Sequence, residues 1–190
     1  MPNHVYSVIS VEEKYADKLK EIAEIGLCKY YKPMPKELDV QAPNRNLALA
    51  EKLTEKYGHA DWYSWRNANW GTKWGCYDST CDDGVYSFAT AWSVVNEDII
   101  EMLLKDIPSL CYQWEEEQGF GEEMEYENGE QTYHLSWDLP NWDETDNEDI
   151  QFLTSDHRNG EGVFKKGYYT WGLSEYLGET YEEALEELSI

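Results

Sequence analysis

The chain has 190 residues and a formal net charge of -24, and aromatic residues make up 15% of it, with nine Trp and fifteen Tyr. Acidic chains that stay disordered are poor in aromatic residues, so this composition predicts a folded domain with an acidic surface. Such a surface repels nucleic acid and anionic membranes, which excludes direct binding to either and favours a basic protein or nucleoprotein partner.

The negative charge is concentrated in the later part of the chain. Residues 1–75 hold eleven Lys or Arg and ten Asp or Glu, whereas residues 76–190 hold four and twenty-nine. The general acidification of a halophilic protein would affect both parts evenly. The asymmetry favours a surface that binds a basic partner, and an acidic face that only keeps the protein soluble stays open as the alternative.

Residues 1–70 predict two strands and three helices from their hydrophobic periodicity. Gly26 and Gly58 follow two of the helices, as expected for residues that end a helix. The predicted elements are a strand at His4–Val11, a helix at Glu12–Ile25, a short strand at Leu27–Tyr31, a helix at Leu47–Tyr57 and a short aromatic helix at 60–70.

Residues 72–137 predict five further strands, two of them in a hairpin, and one helix, which begins at a capping Asn96. The predicted elements are a strand at Thr72–Tyr77, a turn at Asp78–Gly84, a strand at Val85–Ser93, a helix from Asn96 to Pro108, a strand from Leu110 to Glu115 and a hairpin at Glu122–Trp137. This order predicts an α+β fold, a ferredoxin-like antiparallel sheet backed by helices, with a helical insert at about 46–70. Residues 1–137 form the predicted domain, and residues 138–190 form an acidic C-terminal extension packed on it.

Asn128-Gly129 is the two-residue turn that β-hairpins favour, and it fixes which side chains share a face. The predicted opposite pairs are Glu127 with Glu130, Glu125 with Thr132, Met124 with Tyr133 and Glu123 with His134. One face then carries Glu123, Glu125, Glu127 and Glu130, and the other carries Met124, Tyr126, Tyr133, Leu135 and Trp137, which face the core.

The hairpin and its neighbours therefore predict a partner-binding surface of carboxylates. Like charges opposite each other destabilise a sheet. We therefore expect cationic groups of the partner to neutralise these carboxylates. Solvated charges that protect an edge strand from aggregation are the alternative. The predicted partner-binding residues are Glu115, Glu116, Glu117, Glu122, Glu123, Glu125, Glu127, Glu130, Asp143, Glu144, Asp146, Glu148 and Asp149.

Four segments resemble one known family: the MPN start, GLCKYYKPMP (26–35), WYSWRNANWGTKWG (62–75) and FATAWS (88–93). They are similar to the YubB-type ferredoxin-like domain of plasmid and phage proteins, over residues 1–137. The resemblance implies a ferredoxin-like fold and an origin in a mobile element, and it implies no reaction. Val5 departs from the family, where Trp is common, and the acidic later part lies outside the resemblance.

These observations predict an inhibitor of a basic nucleic-acid-handling host complex, such as a CRISPR effector or a restriction enzyme, located in the cytoplasm of the host. A small-ligand or signalling-nucleotide sponge and a housekeeping protein of the element are the alternatives. We expect no catalytic residue, no cofactor and no metal. The two candidates for catalysis, the pair Glu123 with His134 on an exposed strand and an N-terminal Pro2, lack an enclosed cleft. The residues Asp78, Thr80 and Asp82 do not complete a calcium loop. The four tryptophans of 62–74 are expected to pack in the core, and a free sheet edge permits a homodimer.

Overall fold

The protein is built on one six-stranded antiparallel sheet. The computed structural model describes residues 3–40, 46–117 and 120–137. The strands are β1 (His4–Val11), β2 (Tyr77–Asp82), β3 (Val85–Ala91), β4 (Leu110–Glu116), β5 (Gly121–Glu127) and β6 (Glu130–Trp137). They follow the order β2-β3-β1-β4-β5-β6, and every neighbouring pair is antiparallel. The predicted α+β class and antiparallel sheet are confirmed.

Five α-helices accompany the sheet in the described ranges. They are α1 (Ala16–Ile25), α2 (Leu27–Tyr31), α3 (Leu47–Tyr57), α4 (Trp62–Trp70) and α5 (Glu97–Asp106). Asn46 caps α3 by accepting from the Leu49 amide, and Asp61 caps α4 by accepting from the Ser64 amide. Helices α3 and α4 occupy the segment predicted to be helical between 46 and 70. None of the described helices is both long and apolar enough to cross a membrane.

The hydrophobic core lies between the helices and one face of the sheet, which we call the helix-side face. Side chains that alternate along the strands, such as Ile9, Tyr86 and Tyr112, pack there with Leu19 of α1 and Leu103 of α5. The opposite face of the sheet, which we call the outer face, contributes no side chain to this core cluster among the described residues. The outer face is therefore the side of the sheet that lies away from the core.

Two strand predictions are wrong. Leu27–Tyr31 is helix α2 and not a strand, and it starts directly after Gly26, whose φ of 90° ends α1. Both Leu27 and Cys28 are buried. A segment of five residues, here LCKYY, is too short for its periodicity to distinguish a helix from a strand.

The second error shifts the next strand. The predicted strand at Thr72–Tyr77 is mostly irregular, and the predicted turn at Asp78–Gly84 is largely strand β2. The turn itself is confined to Asp83 and Gly84, whose φ angles are 44° and 76°. Because a two-residue turn with positive φ at both positions matches the twist of a hairpin, β2 and β3 pair directly through it.

Candidate protein-binding surface

The β5–β6 hairpin contains the predicted turn and an unpredicted bulge. Asn128 and Gly129 take φ angles of 55° and 84°, and Glu127 lies opposite Glu130 as predicted. The register then shifts between Glu125 and Tyr126, so Thr132 is an extra residue on β6. Beyond the bulge, each residue of β5 therefore lies opposite a residue one position later on β6 than predicted, and the three predicted pairs are wrong. The observed pairs are Glu125 with Tyr133, Met124 with His134 and Glu123 with Leu135.

The bulge changes which side chains of β6 face outward. Glu123, Glu125, Glu127 and Glu130 share the outer face, as the alternation predicts. Tyr133 and Leu135 lie on this same face rather than on the helix-side face, because each is paired with an outer-face glutamate. Met124 and Tyr126 do pack against the core. The outer face of the hairpin therefore combines carboxylates with an aromatic and an aliphatic side chain.

The six strands contain acidic side chains and neither Lys nor Arg. Along β5, Glu123, Glu125 and Glu127 recur at every second residue, which places successive carboxylates about 6.8 Å apart along the strand. Glu125, Glu127 and Glu130 are exposed, and Glu123 is half-buried. The sheet itself supplies no cation to this row, so the row adds negative potential to the outer face.

Two of the predicted acidic residues are not on the surface. Glu115 and Glu116 at the end of β4 are buried, with 5% and 3% of their area exposed. Glu117 is exposed and accepts a hydrogen bond from the backbone N–H of His4 at 2.9 Å. Of the three consecutive glutamates, Glu117 alone presents its side chain to solvent.

Glu122 faces the other way from the acidic row. It lies on the helix-side face of β5, and its Oε2 is 3.7 Å from Nε2 of His134 on β6. The sequence predicted that His134 lies opposite Glu123. Because of the bulge, His134 lies opposite Met124 and on the same face as Glu122. The remaining predicted partner-binding residues, Asp143, Glu144, Asp146, Glu148 and Asp149, lie outside the described residues, as does the predicted extension 138–190 to which they belong.

A row of aromatic rings crosses the start of β1 and continues beyond β2. Tyr6 stacks on His4 at 6.0 Å between ring centroids, and His4 meets the Tyr77 ring at 5.9 Å. Tyr77 contacts Trp74 at 6.2 Å, and Trp74 contacts Trp92 at 5.5 Å. The Tyr77 hydroxyl lies 2.9 Å from Nδ1 of His4 and donates to the Thr90 carbonyl at 3.0 Å, which fixes the middle of this aromatic row.

The far end of the aromatic row is open to solvent and surrounds one cation. Trp74 and Trp92 expose 41% and 51% of their area. The Lys73 ammonium lies 4.9 Å from the Trp74 ring centroid, 5.1 Å from that of Trp92 and 5.8 Å from that of Tyr63. These distances are within the cation–π range of about 6 Å. Exposed tryptophans and tyrosines that are held in place by neighbours are typical of the residues that dominate protein interfaces.

Two carboxylates lie near the other end of this aromatic row, close to Tyr6 and Tyr77. Partial burial raises the pKa of the Tyr6 phenol, and the nearby carboxylates of Glu117 and Asp78 raise it further. The same two carboxylates add to the raised pKa of Tyr77, whose main cause is also burial. Rings and carboxylates therefore lie close together on the outer face.

Two of the four tryptophans expected in the core are there. Trp65 and Trp70 are buried, and the indole N–H of Trp70 donates to the Lys32 carbonyl at 2.8 Å. The Arg66 guanidinium lies 5.0 Å from the ring centroids of Trp62 and Trp70. Arg66 is thus held between two rings of its own helix.

One group of side chains in the described ranges has the proximity of metal ligands. Ligand atoms of Cys111, Glu123 and Glu125 lie within 4.8 Å of one another on the outer face of β4 and β5. Cys111 is directly opposite Glu125, so the sheet register accounts for this proximity. Asp78, Thr80 and Asp82, which were compared with a calcium loop, lie in β2, where Asp78 takes a φ of 48° beside an irregularity in the register with β3.

Comparisons of the chain with protein-family profiles, with curated proteins and with solved structures return no match.

Trp92 is the surface residue that the sequence prediction missed. The segment FATAWS was interpreted as strand up to Ser93, whereas β3 ends at Ala91. Trp92 then takes a φ of 65°, a conformation that bulky residues rarely adopt, and its backbone N–H donates to the Asn3 carbonyl at 2.9 Å. Local sequence gives no signal for this, because the conformation is imposed by a contact with residue 3.

Proposed function

We propose that this protein is an inhibitor that binds a basic, nucleic-acid-handling protein complex of a host cell through the outer face of its sheet. The observation that carries the proposal is the row of Glu123, Glu125, Glu127 and Glu130 on a sheet whose strands contain neither Lys nor Arg. A surface of this charge is complementary to a groove of Lys and Arg that binds phosphates.

The energetic cost of the acidic row supports a role in binding. Glu127 lies directly opposite Glu130, and both are exposed on a two-residue hairpin. Like charges at opposite positions destabilise a sheet, by roughly 0.2–1 kcal/mol relative to neutral pairs. One carboxylate would protect an edge strand from aggregation. The repeated carboxylates on neighbouring strands exceed what protection needs, and an Arg-rich groove would turn their repulsion into attraction.

The aromatic row supplies the second part of the proposed interface. Carboxylate contacts at an exposed rim contribute about 0–1 kcal/mol each, so charge alone gives fast but weak association. Buried tryptophan contacts often contribute 2 kcal/mol or more. We place Trp74 and Trp92 at one end of the contact and the acidic row of β5 and β6 at the other, across strands β1 and β4, with Glu117 near the start of β1 between them.

The proposed mechanism is competition with nucleic acid. Each carboxylate that meets an Arg away from water is worth roughly 1.5–3 kcal/mol, and several together would prevent phosphates from entering the groove. A CRISPR effector or a restriction enzyme is the kind of target that fits. Asp143, Glu144, Asp146, Glu148 and Asp149 belong to the proposal as further carboxylates of the same surface.

The proposed origin in a plasmid or phage rests on the resemblance to YubB-type proteins. We also propose that strands β1 to β4 form a ferredoxin-like unit to which the β5–β6 hairpin is added. Their spatial order β2-β3-β1-β4, with helices between β1 and β2 and helix α5 between β3 and β4, supports that arrangement.

The test compares affinity captures from a host lysate by matched variants. The wild-type protein, the variant Glu123→Lys/Glu125→Lys/Glu127→Lys and the control Glu51→Lys/Glu55→Lys on the exposed side of α3 serve as baits. We expect a nucleic-acid-binding complex that the wild type and the control retain at low salt and that the triple variant loses. The purified complex should then lose its affinity for its own nucleic acid when the wild-type protein is added.

Two outcomes would contradict the proposal. If the triple variant captures the same complex at equal yield, the acidic row is not the contact. A complex that binds the protein and its nucleic acid simultaneously, with unchanged affinity for each, would exclude competition. Circular dichroism of each bait establishes that the variants are folded before either conclusion is drawn.

A further inference from the structure

A cavity of about 320 Å³ lies on the helix-side face of the sheet, away from the proposed interface. It is formed between the start of α5 and strands β4, β5 and β6. Its apolar wall consists of Ile100, Tyr112, Trp114 and Met124. The volume is at the lower end of the range of ligand cavities, about 300–1,000 Å³, so it suits a small molecule or a single side chain.

The polar groups of this cavity are mainly acceptors with negative charge. Glu97 from α5 and Glu122 from β5 line it, together with Gln131 and His134 from β6. Among the described residues that line it there is no Lys or Arg. Burial raises the pKa of the Tyr126 phenol, and the carboxylates of Glu97 and Glu122 both raise it further, so the two carboxylates act on the same point in the cavity.

The bulge on β6 is what builds this arrangement. Without the extra residue Thr132, His134 would pair with Glu123 and lie on the outer face. With it, His134 pairs with Met124, enters the helix-side cavity and lies 3.7 Å from the Glu122 carboxylate. A bulge that re-aims a side chain into a cavity is a common feature of functional sites in sheets.

We propose that this cavity binds a small organic cation, an alkyl guanidinium or alkyl ammonium group. The aliphatic stem packs against Met124 and Trp114, and the cationic head meets Glu97 and Glu122 beside the Tyr126 ring. The same lining disfavours a nucleotide, because phosphates would face two carboxylates. This site is independent of the proposed inhibition, since it lies on the opposite face from the acidic row.

The cation has two possible sources, a free metabolite or an Arg or Lys side chain of a partner, and both offer the same chemistry.

The test uses the full chain with ¹³C-methyl-labelled methionine. Butylguanidinium is titrated first, butylurea, its neutral analogue, second, and a short peptide with one central Arg third. We expect the Met124 methyl signal to shift saturably with butylguanidinium while that of Met34, which packs elsewhere on the core, stays unchanged.

The variants Glu97→Gln and Glu122→Gln should each weaken butylguanidinium binding about tenfold, since each replaces a charged acceptor by a neutral one. Glu101→Gln on the exposed side of α5, outside the cavity, is the control and should bind as the wild type does. Binding of the peptide as well as butylguanidinium indicates a partner's side chain as ligand, and binding of butylguanidinium alone indicates a free metabolite. Equal shifts with butylurea, undiminished binding by both Gln variants, or no Met124 shift with either cation overturns the proposal.

Discussion

Trp92 has a φ of 65° directly after β3, and half of its side chain is exposed. An L-residue in this left-handed region is destabilised by roughly 1–2 kcal/mol, because its Cβ approaches the following carbonyl oxygen. Glycine would avoid that strain. Strained residues that the surrounding structure holds in place cluster at functional sites, which agrees with the position of Trp92 in the aromatic row.

The strain at Trp92 can be measured by comparing two small side chains. Both Trp92→Ala and Trp92→Gly remove the ring, but only Gly also removes the strain at positive φ. We expect Trp92→Gly to be more stable than Trp92→Ala by about 0.5–1 kcal/mol in urea unfolding. This difference is smaller than the strain itself, because Gly has more conformational freedom than Ala in the unfolded chain.

Ala68→Gly in α4 is the matched control, since Ala68 has ordinary helical backbone. There Gly should destabilise by about 0.5–1 kcal/mol, the opposite sign. If Gly at position 92 destabilises relative to Ala as it does at position 68, Trp92 is not strained.

At the scale of elements, Asn96 links two helices rather than capping one. It occupies the residue before α5, but its side chain makes no capping hydrogen bond there. Instead its Nδ2 donates to the Ala68 carbonyl at 2.8 Å, and its backbone N–H donates to the Trp70 carbonyl at 2.9 Å. Both carbonyls belong to the last turn of α4, where carbonyls lack partners within the helix.

This assignment predicts that Asp cannot replace Asn96. Asp is as good a cap for α5 as Asn and its charge favours a helix N-terminus, but it cannot donate to Ala68. We expect Asn96→Asp to lower the free energy of unfolding by about 1–3 kcal/mol, as for a carbonyl that loses its donor. Stability equal to or above the wild type in thermal unfolding would mean that capping of α5 is the role of this residue.

The acidic hairpin should be more stable with one charge reversed. Glu130→Lys converts the like-charged pair with Glu127 into an opposite pair, which should stabilise by about 0.2–1 kcal/mol at low salt. Glu55→Lys, on the exposed side of α3, makes the same change of two charge units without facing Glu127 and is the control. A Glu130→Lys variant that gains no more than the control would show that the two carboxylates do not repel each other in the folded protein.

The hairpin also shows what sequence can predict. Asn128-Gly129 specifies its turn because few residue pairs accept positive φ at both positions, and the pairing next to the turn followed correctly. The bulge at Thr132 did not follow, because it depends on how β5 and β6 meet the rest of the sheet. Consequently the glutamates of β5 were assigned to the right face, while Tyr133, His134 and Leu135 were assigned to the wrong one.

At the scale of the whole molecule, the described helices carry charges of both signs, whereas the strands carry acidic residues and no Lys or Arg. Lys and Arg occur in its helices and connecting segments, and the strands have neither. Lys32 on the helix side forms an ion pair with Asp98, and Lys56 pairs with Glu37 at 3.3 Å. These two carboxylates have a cation within 4 Å, whereas the described strands add acidic residues and no Lys or Arg to a protein whose formal net charge is -24.

This distribution predicts opposite effects of salt on folding and on binding. Self-repulsion at a net charge of -24 opposes the compact state, and NaCl shortens the screening length from about 30 Å at 0.01 M to about 10 Å at 0.1 M. We therefore expect the free energy of unfolding to rise over this range, while affinity for the proposed basic partner falls.

The variant Glu123→Gln/Glu125→Gln/Glu127→Gln should flatten both dependences, since it removes three charges of the acidic row. KCl should act as NaCl does, because the effect is screening and not ion binding. If this variant shows the same dependence of stability on salt as the wild type in urea unfolding, the three glutamates do not contribute to the self-repulsion, and this argument for a role of the acidic row in binding fails.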